Sequence, residues 1–115
     1  MGPAATPTKT ATAGRQCCPR YHEAVELVGK RWTGAILYVL LQGGRLRFTQ
    51  IAQAVPALSD RLLSERMKEL EARGIVVRHV SDGSPVKVCY ELTEKGRELA
   101  PALGELKTWA DRWLD

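Results

Sequence analysis

Three cysteines and two histidines are the side chains here that could act as nucleophile, acid–base group or soft metal ligand. Cys17 and Cys18 are adjacent, and Cys18 directly precedes Pro19-Arg20. Proline suits the first position of a helix, which sets Cys18 at a helix start. There the positive end of the helix dipole and the nearby Arg20 lower a thiol pKa and favour the reactive thiolate. Cys18, with Cys17 beside it, is therefore the candidate reactive thiol, suited to oxidant or electrophile sensing. The competing reading is a pair of idle thiols. Cys17, Cys18 and His22 match no standard zinc spacing, and no metal or cofactor is expected. Cys89 and His79 fall on segments that read as strands, and Cys89 is read as incidental. No Gly-rich phosphate loop and no Ser/His/Asp set is present, so no catalytic constellation is expected.

The other chemistry is polyanion recognition. Of 17 Lys/Arg and 13 Asp/Glu, ten basic and five acidic residues fall between Lys30 and Lys87, a local +5. From Val88 onward the count is four against six. No acid lies between Glu26 and Asp60, whereas Lys30, Arg31, Arg45 and Arg47 do. A basic middle with an acidic end suits a nucleic-acid partner, although a mixed-charge solvated surface would carry the same tally.

The elements that must position these charges follow from periodicity and punctuation. Residues 1–16 are Pro/Ala/Thr-rich, offer little to bury and read as a disordered tail, leaving one domain over 17–115. No signal peptide or bilayer-length apolar run is present, and an odd cysteine count does not suit a secreted disulfide framework, so a cytoplasmic protein is expected. From Pro19, Tyr21, Ala24, Val25 and Val28 recur at helical spacing. Trp32–Gln42 is apolar on nearly every face, which marks a helix surrounded by protein, and Gly43-Gly44 ends it. Leu46-Arg47-Phe48 is short and extended. Thr49 is expected to cap a helix carrying Ile51, Ala52 and Val55, stopped at Pro56. Ser59 caps a longer helix to Arg73, with Leu62 or Leu63, Met67 and Leu70 buried and Gly74 at its end. Ile75–Val80 and Val86–Leu92 flank the turn cluster Ser81–Pro85 and form a β-hairpin. Thr93 caps a final helix with the stripe Leu99, Leu103, Leu106, Trp109 (or Ala110) and Trp113, kinked or broken near Pro101.

A short helix, a tight turn and a longer helix make a helix-turn-helix, and the hairpin that follows is a wing. The fold class expected is mainly α with a small β-hairpin wing. The longer helix is expected to place its N-terminal residues at base edges in the major groove. Those residues are Ser59, Asp60, Arg61, Ser64, Glu65 and Lys68. Arg61 can donate two bonds to guanine, and Lys68 suits a phosphate. Arg47, Thr49 and Lys87 are assigned to the backbone or the minor groove. The plainer alternative is a solvated helix side with Glu65–Lys68 and Arg66–Glu69 pairing locally. Trp109 and Trp113 one turn apart, with Leu106, Tyr21 and Val25, exceed what so small a core can bury. They are assigned to a dimer interface formed by the N- and C-terminal helices. A dimer would set two reading helices about 34 Å apart on a palindromic site. The function class that competes is a winged-helix protein–protein module without DNA binding.

The blocks Cys18-Pro19, Leu27-Val28-Gly29-Lys30-Arg31-Trp32-Thr33, Ile36-Leu37, Gly44-Arg45-Leu46-Arg47-Phe48, Leu58-Ser59, Leu70–Val76 and Tyr90–Gly96 fall in an ordered series. Together they resemble the HxlR-type winged helix-turn-helix regulators over nearly everything after residue 17. The chain departs from the usual pattern at Lys30-Arg31 and at Cys89. The resemblance implies a dimeric bacterial transcription factor with terminal helices at the subunit interface. It also implies that some members sense electrophiles or oxidants through the cysteine before that proline. The partners expected are double-stranded DNA, a second copy of the chain and a small-molecule effector, with no membrane.

Overall fold

The computed structural model describes residues 18–115, so Cys17 and the expected tail lie outside the described residues. The chain divides into two units at Lys30/Arg31. In the first, helix α1 spans Pro19–Gly29 with Cys18 as N-cap and Pro19 at its first position. Its missing N–H is one that no helix start can satisfy internally. Tyr21 and Val25 are exposed, and α1 buries none of its residues.

The second unit begins at Arg31. Its helix α2, Thr33–Gly43, buries Thr33, Ile36, Leu37 and Leu40. Trp32, its N-cap, takes a left-handed φ of 74°, unusual for a bulky residue. Gly44, also at φ 74°, ends α2, with its N–H donating to the Leu40 carbonyl at 3.0 Å. Strand β1 is Leu46–Arg47, and helix α3, Phe48–Ala54, follows at once. Helix α4 spans Asp60–Ala72. The Ser59 hydroxyl accepts the Leu62 N–H at 3.2 Å, the expected cap.

The far end of α4 is a Schellman closure. Gly74, at φ 72°, donates to the Glu71 carbonyl at 3.0 Å, and Ile75 donates to Leu70 at 2.9 Å. Leu70 and Ile75, each 1% exposed, supply the apolar pair that frequently accompanies this motif. The chain thus leaves α4 directly into strand β2, Val76–Val80, which returns as β3, Val88–Leu92.

Here the structure extends the sequence reading. The wing is not two-stranded: β1 pairs antiparallel with β3, with Leu46 opposite Tyr90 and Arg47 opposite Cys89, giving the order β1-β3-β2. The final helical segment is broken as Pro101 requires. A short turn α5, Glu94–Arg97, is capped by Thr93, whose Oγ1 accepts the Gly96 N–H at 3.1 Å. Helix α6 then runs over Ala100–Trp113. The core joins these elements through Ile36, Leu37 and Leu40 of α2, Ile51 of α3, Leu63, Met67 and Leu70 of α4, Ile75, Val76 and Leu92 of the sheet region, and Leu103 of α6. Each fully buried aliphatic side chain contributes about 1.5–3 kcal/mol. No helix among the described residues is long and apolar enough to cross a membrane.

Candidate nucleic-acid interface

Burial of Leu63, Met67 and Leu70 fixes the rotation of α4, because residues three and four apart share a face. The opposite side must then face solvent. Arg61 lies there with its side chain 92% exposed, beside the exposed Asp60, Glu65 and Lys68 and the half-buried Ser64. All six residues expected at base edges or phosphates, Ser59 included, are thus on or next to one exposed flank of one helix. Asp60 in the first turn complements the helix dipole.

Of the two local pairs in the plainer reading of this face, one differs and one is present. Glu65 meets Arg61, at 3.5 Å, rather than Lys68. An exposed pair of this kind contributes little, about 0–1 kcal/mol, and leaves Arg61 available for exchange onto DNA. The Arg66–Glu69 pair is present at 3.4 Å, yet it is only part of what Arg66 does. Its Nε also donates to the Arg31 carbonyl at 3.0 Å, and its side chain is 11% exposed. Arg66 therefore ties α4 to the segment that enters α2 and belongs to the scaffold.

The start of α3 corrects another expectation. Thr49 does not cap this helix; Arg47 is the N-cap residue, and Thr49 lies exposed in the first turn. The strand β1 runs straight into the helix, so capping comes from within. Gln50 Oε1 accepts the Arg47 N–H at 2.8 Å, leaving the guanidinium of Arg47 exposed. The wing turn is closed by Ser81. Its N–H donates to the Lys87 carbonyl at 2.8 Å and its Oγ accepts the Lys87 N–H at 2.9 Å, with Lys87 itself exposed.

One polar group links β2 and β3 to the residue just before β1. Glu91 Oε1 accepts from Arg45 Nη2 at 3.2 Å and lies 2.9 Å from His79 Nε2. The His79 bond first and the Arg45 bond second hold the Glu91 carboxyl below its ordinary value of 4.5. The sequence reading assigned none of the three a role. Cys89, two residues before Glu91 on β3, is directly opposite His79 of β2 and Arg47 of β1.

Among the described residues, clefts open in the second unit. One of about 100 Å³ is lined by Leu40, Leu41, Gly44, Glu91, Leu92 and Arg97. Another, about 320 Å³, lies between α4 and the sheet and is lined by Ser64, Met67, Lys68, Glu71, Arg78 and Tyr90. Arg78 was absent from the expected contact residues. The alternation along β2 would have found it, since Val76, Arg78 and Val80 must share the face that packs toward α4.

At the start of α1, Cys18 is exposed. The backbone N–H of Tyr21, then that of Arg20, with help from the Arg20 side chain, holds its thiol below the ordinary value of 9.0. Tyr21 and Val25 on α1, and Leu106, Trp109 and Trp113 on α6, are the exposed large apolar residues of those helices. The two tryptophans are 53% and 63% exposed.

Known proteins share this arrangement along most of the chain. The family model for the HxlR-like helix-turn-helix matches residues 27–115. An uncharacterized HTH-type transcriptional regulator, YvaP, of Bacillus subtilis (strain 168) is 49% identical over 100 residues, covering 87% of this chain and 92% of its own. The reduced form of the B. subtilis transcriptional regulator YodB superposes with a TM-score of 0.77 at 44% identity, covering 87% of this chain and 97% of YodB. The quinone-bound form of YodB gives 0.72 at 42% identity, covering 84% and 100%. The redox regulator HypR in its oxidized form gives 0.78 at 36% identity, covering 85% of this chain and 99% of HypR. With the exposed basic helix, the tight turn before it and the wing after it, these similarities make the chain a member of the HxlR-like helix-turn-helix family of DNA-binding transcription regulators.

Proposed function

We propose that the chain, as a homodimer, reads a palindromic operator with the exposed flank of α4. One observation carries this reading: Arg61 stands almost fully exposed beside the capped start of a helix whose other side is locked into the core. In the major groove Arg61 is the base-reading residue, with Ser59, Asp60, Ser64 and Glu65 around it. Lys68, Arg47, Thr49 and Lys87 hold phosphates and set the register. The exposed Tyr21, Val25, Leu106, Trp109 and Trp113 form the dimer interface, since large aromatics are characteristic interface anchors. The chain acts in the cytoplasm, is not an enzyme, and uses residues 17–115 as one functional domain behind a tail of 1–16.

Selection of bound duplexes from a random pool by the reduced protein tests this. The expected product is an inverted repeat with half-sites about one helical turn apart. A pool that shows no enrichment after repeated rounds would overturn the reading in favour of a protein-interaction module.

The same reading extends to electrophiles through Cys18. Its exposed sulfur, held toward the thiolate by the Tyr21 and Arg20 N–H groups, supports it, as do the quinone-bound form of YodB and the redox regulator HypR among similar proteins. A quinone would accept the sulfur at a ring carbon, forming a C–S bond and taking up the proton. Cys17 is the second candidate thiol. Quinone should release the wild-type protein from its selected site and leave Cys18→Ser bound. Equal release of both proteins would remove Cys18 from the mechanism.

A further inference from the structure

The cleft between α4 and the sheet has the composition of an anion seat rather than of an apolar pocket. Ser64, Lys68 and Glu71, with Met67 at the base, come from successive turns of α4. Arg78 and Tyr90 come from β2 and β3, where they are directly opposite cross-strand partners. Lys68 supplies a point charge, Arg78 a fork of N–H donors, and Ser64 and Tyr90 a hydroxyl each. Glu71 is the only acid of the lining, so the cleft carries a net charge of +1. Polar surface dominates its walls, and it opens to solvent.

Its location identifies the anion. A sugar-phosphate strand separates the major from the minor groove of a duplex. A protein that lays α4 in the major groove and carries its wing over the adjoining backbone must straddle that strand. The space between α4 and the wing strands is where the strand has to pass, and that space is this cleft.

We propose that Lys68 and Arg78 close on one backbone phosphate of the operator from opposite sides, with the Tyr90 and Ser64 hydroxyls as further donors. This rests on the DNA-reading role of α4 and adds Arg78 and Tyr90 as positioning residues of the contact. Base readout stays with Arg61; the clamp fixes how deeply and at what angle α4 enters the groove. Glu71, one turn beyond Lys68, limits the seat to a single phosphate and partly neutralises its two cations in the unbound protein.

The test is duplex binding by fluorescence anisotropy across a salt series, with a selected operator and a random duplex. The double variant Lys68→Gln/Arg78→Gln should flatten the log–log salt dependence by about 0.9 per bound copy of the chain, the single phosphate the pair holds, and Arg78→Gln or Lys68→Gln alone by part of that. Between 50 and 200 mM salt the full change amounts to about 3.5-fold less loss of affinity per copy. Both duplexes should be affected alike, so the preference for the operator is kept. Arg78→Lys, which keeps the charge, should retain most of the slope, and Glu71→Gln should tighten binding to both duplexes. Replacing single phosphates by neutral methylphosphonates should reveal one position per half-site that weakens the wild type, weakens Arg78→Gln less, and leaves the double variant unaffected. An unchanged slope in Arg78→Gln while the wild type binds DNA tightly would overturn the clamp and leave the role of α4 standing. A wild type that binds neither duplex would overturn both.

Discussion

Replacing Gly96 by alanine should destabilise the protein by about 2 kcal/mol, against the usual gain from alanine in a helix. A Cβ built at Gly96 collides with the backbone carbonyl oxygen of Ile75, and it also crowds Leu92 Cδ2 at 3.0 Å and Ile75 Cγ2 at 3.1 Å. None of these can yield easily: Ile75 is 1% and Leu92 3% exposed. The Ile75 oxygen is also held in place, since it accepts the Thr93 N–H at 3.0 Å and lies 3.2 Å from Thr93 Oγ1. The turn α5 must therefore lift away from the start of β2. That movement strains the Thr93 bonds, including the one its hydroxyl donates to the Gly74 carbonyl at 2.6 Å. It also strains Lys95 Nζ on the Arg73 carbonyl at 2.7 Å. Overpacking of a tight site costs about 1–3 kcal/mol, and a weakened hydrogen bond about 0.5–1.5 kcal/mol. The alanine gain of about 1 kcal/mol offsets part of this. For a domain of this size the net loss lowers the melting midpoint by roughly 10 °C. Circular dichroism melts of wild type, Gly96→Ala and Gly104→Ala measure it. Gly104 is the control: nothing lies within 4 Å of its added Cβ, and it faces away from Leu106, Trp109 and Trp113 on α6. It should melt at or above the wild-type midpoint. A Gly96→Ala protein as stable as Gly104→Ala would refute the packing argument.

Two further outcomes separate scaffold from surface on α4 and in the wing. Arg66→Ala should cost about 1–3 kcal/mol in urea unfolding, because it removes a side chain packed to 11% exposure together with its bonds to the Arg31 carbonyl and Glu69. Arg61→Ala, on the exposed side of the same helix, should stay within about 0.5 kcal/mol; equal losses for the two would contradict the assignment. Glu91 is held below its ordinary value of 4.5 in the folded chain, so the unfolded chain takes up its proton first as pH falls. The stabilisation from its bonds to His79 and Arg45 is complete above about pH 4.5 and is lost as pH falls through the lowered folded value. Wild type and Glu91→Gln should therefore differ in urea midpoint at neutral pH and converge on acidification. A gap that widens toward low pH would show the sign to be wrong.

Much of this architecture was legible because it is signalled locally. Pro19, the Ser59 cap, Gly74 and the break before Pro101 each act within a turn of their own position, and the structure places all four as read. The buried stripe of α4 followed from its 3.6-residue period, and that stripe is what exposes Arg61. What escaped depends on residues distant in sequence. A strand of two residues has no period, so the pairing of Leu46 and Arg47 with β3 could not be read from residues 46–48. Arg66 looked like one half of an i,i+3 pair because its other partner, the Arg31 carbonyl, is 35 residues away. Thr49 was chosen as a cap by residue type, whereas the abrupt turn from β1 moved the helix start two residues earlier. Arg78 belongs to the candidate site through the fold of β2 against α4, a contact between separate elements that the charge pattern of α4 alone does not signal, although the alternation of β2 turns it toward that helix.

The reading role of Arg61 is the claim on which most depends, and equilibrium binding of wild type and Arg61→Ala to the selected operator and to a shuffled duplex tests it most directly. A bidentate arginine–guanine contact is worth about 1–3 kcal/mol of discrimination, or about 5- to 150-fold in affinity ratio. The account predicts that Arg61→Ala loses the operator preference by that factor, binds the shuffled duplex nearly as well as wild type does, and keeps its fold. An Arg61→Ala protein with undiminished preference for the operator would contradict it.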